Sequence, residues 1–413
     1  MRSPAHSLRL VLVAIACTCF FGAGSASTAI ASSPRTAVAN SVSVIGPGDG
    51  TTACSKRAAR IASVKSRAAQ SASAARKARR AGNKQRRRCL TKLRQAAKRK
   101  RATASALITQ APGNLLVGID GGHGGWSDSE IAQRAELGAA VTRHEWDPSE
   151  PIDEQEDVVE TAAGEIHTRI HPLLGGNDLG EPNHYREFVI AFIRRYGVGG
   201  SFWAAHPELD ARLAMTTVEL GNEPYFGEMS PEEYAATVGP VLEEIQRLQL
   251  PVQVVLPSRV YGKDTSWIDT LYARIPNLNS LFYAFADHPY WYGHDPAEVS
   301  AAGPFGRIET LRRRMNEKGA NTKPIFITEY GESTASCGEE CIPEEVQAQH
   351  LQQMIDAIVS RPDWGVKMLS VFQLVDRGTN SSDRELQFGL LREDGSAKPS
   401  YSIVRGAVQQ YRG

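Results

Sequence analysis

From residue 112 onward, short apolar runs alternate with amphipathic stretches. Eight runs have the length and the β-branched or aromatic content of strands: 115–122, 139–146, 166–174, 215–224, 252–259, 281–290, 324–331 and 367–376. Helical patterns with proper start signals fill most of the intervals. Ser127-Asp128 precedes SEIAQRAELG, Ser230-Pro231-Glu232-Glu233 offers a cap, a first-position proline and first-turn acids, and Pro343-Glu344-Glu345 opens the next-to-last helix. Strand–helix alternation repeated eight times predicts an α/β fold, a (β/α)8 TIM barrel over residues 112–413. The competing architecture, an open doubly wound sheet, wants a G-x-G-x-x-G phosphate turn after the first strand. The segment GIDGGHGG lacks that spacing and reads as a tight βα loop.

The first 111 residues follow neither pattern. Arg2 and Arg9 precede an apolar run from Leu10 to Phe21, and Ala29-Ile30-Ala31 fits an A-x-A cleavage site. Residues 1–31 therefore read as a secretory signal peptide, and the run is short for a membrane span, which needs about 20 residues. Secretion is the expectation, with no transmembrane span after cleavage.

Residues 32–111 form a basic arm and linker, rich in Ala, Lys and Arg between 56 and 103, which suits a helical hairpin or a disordered spacer. The formal net charge of +1 hides this division: residues 1–103 hold 22 Lys/Arg and one acid, the remainder 25 Lys/Arg and 45 acids. Such an arm suits an anionic cell-wall or surface polymer. It has no Phe, Tyr or Trp on which bases stack, so no specific nucleic-acid partner is assigned.

In a barrel of this kind the chemistry sits at the C-terminal ends of the strands. The residues placed there include Asp120, Arg143, His144, Glu145, Trp146, His171, Asn222, Glu223, Arg259, His288, Tyr290, Glu329, Gln373 and Asp376. Glu223 and Glu329 stand out, each carried to a strand end by apolar or neutral residues. Two carboxylates facing across a cleft are the minimum kit for glycosidic cleavage. One, protonated, releases the leaving oxygen; the other, ionised, attacks or stabilises the anomeric carbon. Arg143 on strand two is placed to keep one of them ionised, and Asn222 to donate to a sugar hydroxyl.

At these residues the body, from about 114 to 413, resembles the clan A retaining glycoside hydrolases, the cellulase-like enzymes that include families 5 and 39. The resemblance implies Glu223 as acid/base and Glu329 as nucleophile. It implies that Arg143 holds the nucleophile, that Asn222 is the asparagine preceding the acid/base, and that His288 and Tyr290 are the strand-six pair. The substrate would be a poly- or oligosaccharide. Many clan members end strand eight with a tryptophan that floors the sugar site. Here the run is Val371-Phe372-Gln373-Leu374, so Phe372 or Gln373, or Trp291 and Tyr292 on the strand-six loop, take that place. His144 and Trp146 complete the expected substrate-binding set.

A metal-dependent barrel hydrolase would use His123, His144, His171 and His288, but no H-x-H opens the barrel, and neither metal nor cofactor is assigned. The alternative function is a non-catalytic carbohydrate-binding barrel tethered to an anionic surface by its arm. Cys54, Cys89, Cys337 and Cys341 remain after signal removal, enough for two disulfides in an oxidising compartment. Asn380-Ser381-Ser382 matches a glycosylation sequon.

Overall fold

The computed structural model describes residues 115–411, apart from 228, 380 and 381. The expected signal peptide and basic arm, Cys54, Cys89 and Asn380 lie outside the described residues. The body is a closed barrel of eight parallel strands in sequential order. They are β1 (Leu116–His123), β2 (Val141–Trp146), β3 (Arg169–Leu174), β4 (Thr217–Leu220), β5 (Gln253–Pro257), β6 (Ala284–Asp287), β7 (Ile325–Tyr330) and β8 (Val366–Val371). β8 pairs back onto β1 with Leu116 opposite Met368.

The strands are buried on nearly every residue because helices cover the outside and side chains fill the inside. The inner layer is made by Val141, Val255, Ala284, Ala286, Phe326 and Met368. The helices are α1 (Asp128–Leu137), α2 (Glu156–Thr161), α3 (Pro182–Tyr196), α4 (Ser201–Ala205), α5 (Pro231–Arg247), α6 (Ser266–Arg274), α7 (Pro304–Glu317), α8 (Glu344–Ser360) and α9 (Pro399–Gln410). Their start signals work as expected. Ser127 caps α1 by accepting from the Glu130 amide, and Ser230 with Glu233 forms a complete capping box on α5.

Most expected strands were drawn too long. β3 begins at Arg169, because a π-helical turn over Ala162–Ile166 precedes it. β4 stops at Leu220 and β6 at Asp287, so Glu223, His288 and Tyr290 ride on the loops just beyond. His288 is buried there while Glu223 and Tyr290 are part-exposed, and nothing in the residue types marks where each ladder stops.

Two irregularities shape that mouth. Between β7 and β8 the register runs from Ile327 opposite Leu369 to Tyr330 opposite Val371, one residue extra on β7. This bulge turns Thr328 and Glu329 both toward the site, where strict alternation would send one of them outward. A similar shift between Asp120 and His123 on β1 includes Gly122 at φ +68°. Cys337 and Cys341 are joined by a disulfide in the loop after β7. No helix among the described residues is long and apolar enough to cross a membrane.

Candidate active site

Arg143, on β2, is the hub. It points up the barrel axis from the same side of β2 as Val141 and is 3% exposed. Its Nε donates to Glu219 Oε2 at 2.8 Å, its Nη1 to Asp120 Oδ2 at 3.0 Å and to Glu329 Oε1 at 2.7 Å. Its Nη2 donates to Asn222 Oδ1 at 2.9 Å. That bond fixes the Asn222 amide with its oxygen toward the guanidinium, which turns the NH2 away as a donor. Burial opposes the Arg143 charge, but Glu219, Glu329 and Asp120 together raise its pKa well above the ordinary value.

Glu329 is held at both oxygens. Arg143 takes Oε1, and the Tyr290 hydroxyl donates to Oε2 at 2.9 Å. Glu223 sits three residues past β4 in left-handed backbone, φ +42°, after Gly221 at φ +88°. The Asn222 amide ties this turn to the carbonyls of Gly175 and Gly176.

His288 bridges the two glutamates. Its Nδ1 lies 2.9 Å from Glu223 Oε1 and 3.7 Å from Glu329 Oε2, and its Nε2 is 2.9 Å from Thr328 Oγ1. One oxygen of each carboxylate therefore faces the same imidazole nitrogen.

Burial works against an imidazolium at His288, but the charges of Glu329 and Glu223 overcome it and push the pKa up to about 9. Burial would raise Glu223 as well, yet His288 holds it below the usual carboxylate range. Burial pushes Glu329 up, against the pull of His288 and Arg143. Asp120, Glu219, Glu223 and Glu329 outnumber the cations Arg143 and His288, so the cluster favours keeping a proton among its members.

Glu219 was absent from the sequence expectations. It is fully buried on β4, accepts from Arg143 and from Thr328 at 3.0 Å, and lies 3.3 Å from His171 Nε2. Despite burial, Arg143 and His171 hold its carboxyl far below the usual range. The signal was present as an acid inside the apolar run Thr217-Val218-Glu219-Leu220.

Arg143, Asn222, Glu223, His288, Tyr290 and Glu329 are thus brought together, with Asp120, Glu219 and Thr328. Two expected substrate contacts are corrected. Trp146 is 1% exposed and packs outside the barrel against Phe192 of α3, because residues alternate along β2 and Arg143 takes the inner face. His144 faces the same way. Its Nε2 meets Gln155 Oε1 at 2.8 Å, which also accepts the Gly124 amide, so it fastens the β1 loop to β2. Burial lowers its pKa to about 4 and keeps it neutral.

Gln373 lines a cavity of about 460 Å³ with Asp120, Trp126 and Arg377. Its Nε2 is buried with no hydrogen-bond partner among the described residues. Trp291 is half-buried against His294 and is not tied to the carboxylates. Tyr292 stacks on Tyr290 and is covered by Arg384, which leaves it a pillar rather than a sugar platform. His123 meets Glu150 at 3.5 Å, Arg259 lies over Tyr225, and Asp376 pairs with Lys398, all outside the hub.

The fold and this constellation define a (β/α)8 barrel with a carboxylate pair at its C-terminal mouth. No family model matches the sequence, and no curated protein matches it. In fold it is similar to a family 39 glycoside hydrolase from Bacteroides cellulosilyticus WH2 (TM-score 0.53, 14% identity, 71% of this chain and 63% of that one). It is likewise similar to a glucosidase from Croceicoccus marinus (0.53, 14%, 73% and 69%) and to an α-L-arabinofuranosidase from Thermotoga maritima (0.52, 13%, 73% and 71%). The chain spans less than two thirds of the first of these. At such identities the likeness is one of fold, shared here with glycoside hydrolases.

Proposed function

We propose that the protein is a secreted retaining glycosidase that hydrolyses O-glycosidic bonds of a poly- or oligosaccharide by double displacement. The observation that carries this is the pair Glu223 and Glu329 bridged by one imidazole nitrogen, with both oxygens of Glu329 held by donors. Arg143 and Tyr290 orient Glu329 for attack on the anomeric carbon, forming a glycosyl ester. Glu223 protonates the departing oxygen in that step and takes a proton from the incoming water in the next. The proton rests on His288, 2.9 Å from Glu223, and its short transfer makes Glu223 an acid. The NH2 of Asn222 is the donor available to the sugar. The basic arm would hold the acidic barrel at an anionic surface outside the cell.

A second reading exchanges the two roles, and the resting charges favour it: Glu223 is held below the usual range and Glu329 is pushed above it. Azide rescue separates the two. With an activated aryl glycoside, Glu223→Ala plus azide should give a glycosyl azide of retained configuration, because azide captures the ester without base help. Glu329→Ala plus azide should give the inverted azide, azide replacing the missing nucleophile. The opposite stereochemistry would exchange the roles. Wild-type-like hydrolysis by Glu329→Gln would remove Glu329 from the chemistry, whereas sugar binding by the wild type with no hydrolysis of any activated aryl glycoside would leave the non-catalytic binding barrel as the better account.

A further inference from the structure

We propose that the Cys337–Cys341 loop positions the nucleophile, acting through Arg384 and Tyr292 on Tyr290, so that Arg384 and Tyr292 are positioning residues for Glu329. The proposal rests on the reading of Glu329 as nucleophile.

The path is continuous. Tyr290 gives Glu329 the hydrogen bond at Oε2. Its ring stands among three others: Tyr292 stacked at 5.2 Å and 23°, Phe388 edge-on at 6.1 Å, and His288 edge-on at 6.5 Å. Of these, Tyr292 belongs to the loop after β6 and reaches outward. The Arg384 guanidinium lies over it, 4.0 Å from the ring centroid. Arg384 Nη1 in turn donates to Glu340 Oε2 at 2.7 Å. Glu340 sits inside the five-residue loop that the disulfide closes.

The same loop presses on the Tyr292 backbone. Gly293, φ +73°, is so close to the Glu339 carbonyl that an added Cβ would fall 1.7 Å from that oxygen. The strand-six loop and the disulfide loop therefore meet twice, once through backbone at Gly293 and once through Glu340 and Arg384.

Arg384 is held at its other end too. Its carbonyl accepts from Ser333 Oγ at 2.7 Å, four residues beyond Glu329. A cation over an aromatic face is attracted by the ring quadrupole, which favours one placement of a half-buried ring. A misplacement of about 1 Å at a reacting group costs on the order of a hundredfold in rate. The disulfide limits how far Glu340 can wander, and so how far Arg384, Tyr292 and Tyr290 can follow.

The test compares full-length Arg384→Met, Arg384→Lys, Glu340→Gln and the double variant Cys337→Ser/Cys341→Ser on a small aryl glycoside, with Glu329→Gln as blank. Arg384→Met is expected to lower kcat about tenfold while leaving KM within about twofold. The acid limb of its kcat/KM profile should move to higher pH, because a carboxylate that loses a donor holds its proton longer. Arg384→Lys should recover most of the loss, and the cysteine pair should show a smaller loss of the same kind. Glu340 is exposed, so Glu340→Gln should fold normally and lower kcat about threefold, which keeps the test decisive if Arg384→Met unfolds.

Unchanged kcat and pH profile in Glu340→Gln and the cysteine pair would overturn the proposal. So would a rise in KM alone in Arg384→Met, which would make Arg384 a direct substrate contact. Turnover by Glu329→Gln would instead overturn the assignment of the nucleophile.

Discussion

At the scale of single residues the site is organised by shared partners. Arg143 neutralises parts of three carboxylates at once, and His288 stands between the two glutamates with Thr328 behind it. The glutamates were read as candidates because an apolar or neutral run carries each toward a strand end, and the arginine and the strand-six pair because they fall where runs expected to be strands end. Glu219 was passed over because it lies within the run, where a charge reads as an exception rather than as an inward-facing ligand for a buried guanidinium. Trp146 and His144 were misplaced because sequence position gives distance along a strand but not which face it presents. The imidazolium of His288 makes a prediction. Its pKa is up to about 9 in the fold against roughly 6.5 in the unfolded chain. The stabilisation it brings is complete below pH ~6.5 and is lost as pH rises through 9. The thermal midpoint of the wild type should therefore exceed that of His288→Gln most at pH 6, with the gap narrowing toward pH 9.5. A gap that stays constant over that range would mean that His288 is neutral in the fold.

At the scale of elements, local chemistry and burial gave different qualities of information. Helix starts were readable to the residue because caps are side-chain events: Ser127 and Ser230 do what their sequence neighbours suggest. Strand ends were not, because nothing in residue type marks where the ladder hydrogen bonds stop. The bulges on β7 and β1 leave no mark in the alternation of residues, yet the first of them decides that Thr328 and Glu329 share a side. The capping box on α5 can be tested directly. This helix buries Tyr234, whose hydroxyl donates to the Leu220 carbonyl at the end of β4, just before the turn that carries Glu223. Ser230→Ala should cost about 1 kcal/mol of stability, read as a lowered denaturation midpoint. Because Tyr234 still anchors the helix, kcat should change less than twofold. A larger loss of kcat than of stability would show that the first turn of α5 sets the Glu223 turn.

At the scale of the whole molecule, charge separates what the near-neutral total conceals. Residues 104–413 carry 45 acids against 25 Lys/Arg, whereas residues 1–103 carry 22 Lys/Arg against a single acid. Opposite charge on one chain permits two outcomes: the arm engages the acidic barrel, or it engages an external polyanion. Self-engagement would be intramolecular and would compete with the external partner. Binding of the chain to an immobilised anionic polysaccharide should be strong at low ionic strength and fade by about 0.5 M salt, where screening acts within roughly 4–5 Å. Deleting residues 32–111 should abolish that binding and leave hydrolysis of a small neutral aryl glycoside within about twofold. If the deletion instead raises hydrolysis of the small substrate several-fold at low salt, and salt does the same to the full chain, the arm lies against the barrel and restrains it. If the truncated barrel still binds the polyanion, the affinity belongs to the barrel, and the basic residues have another task.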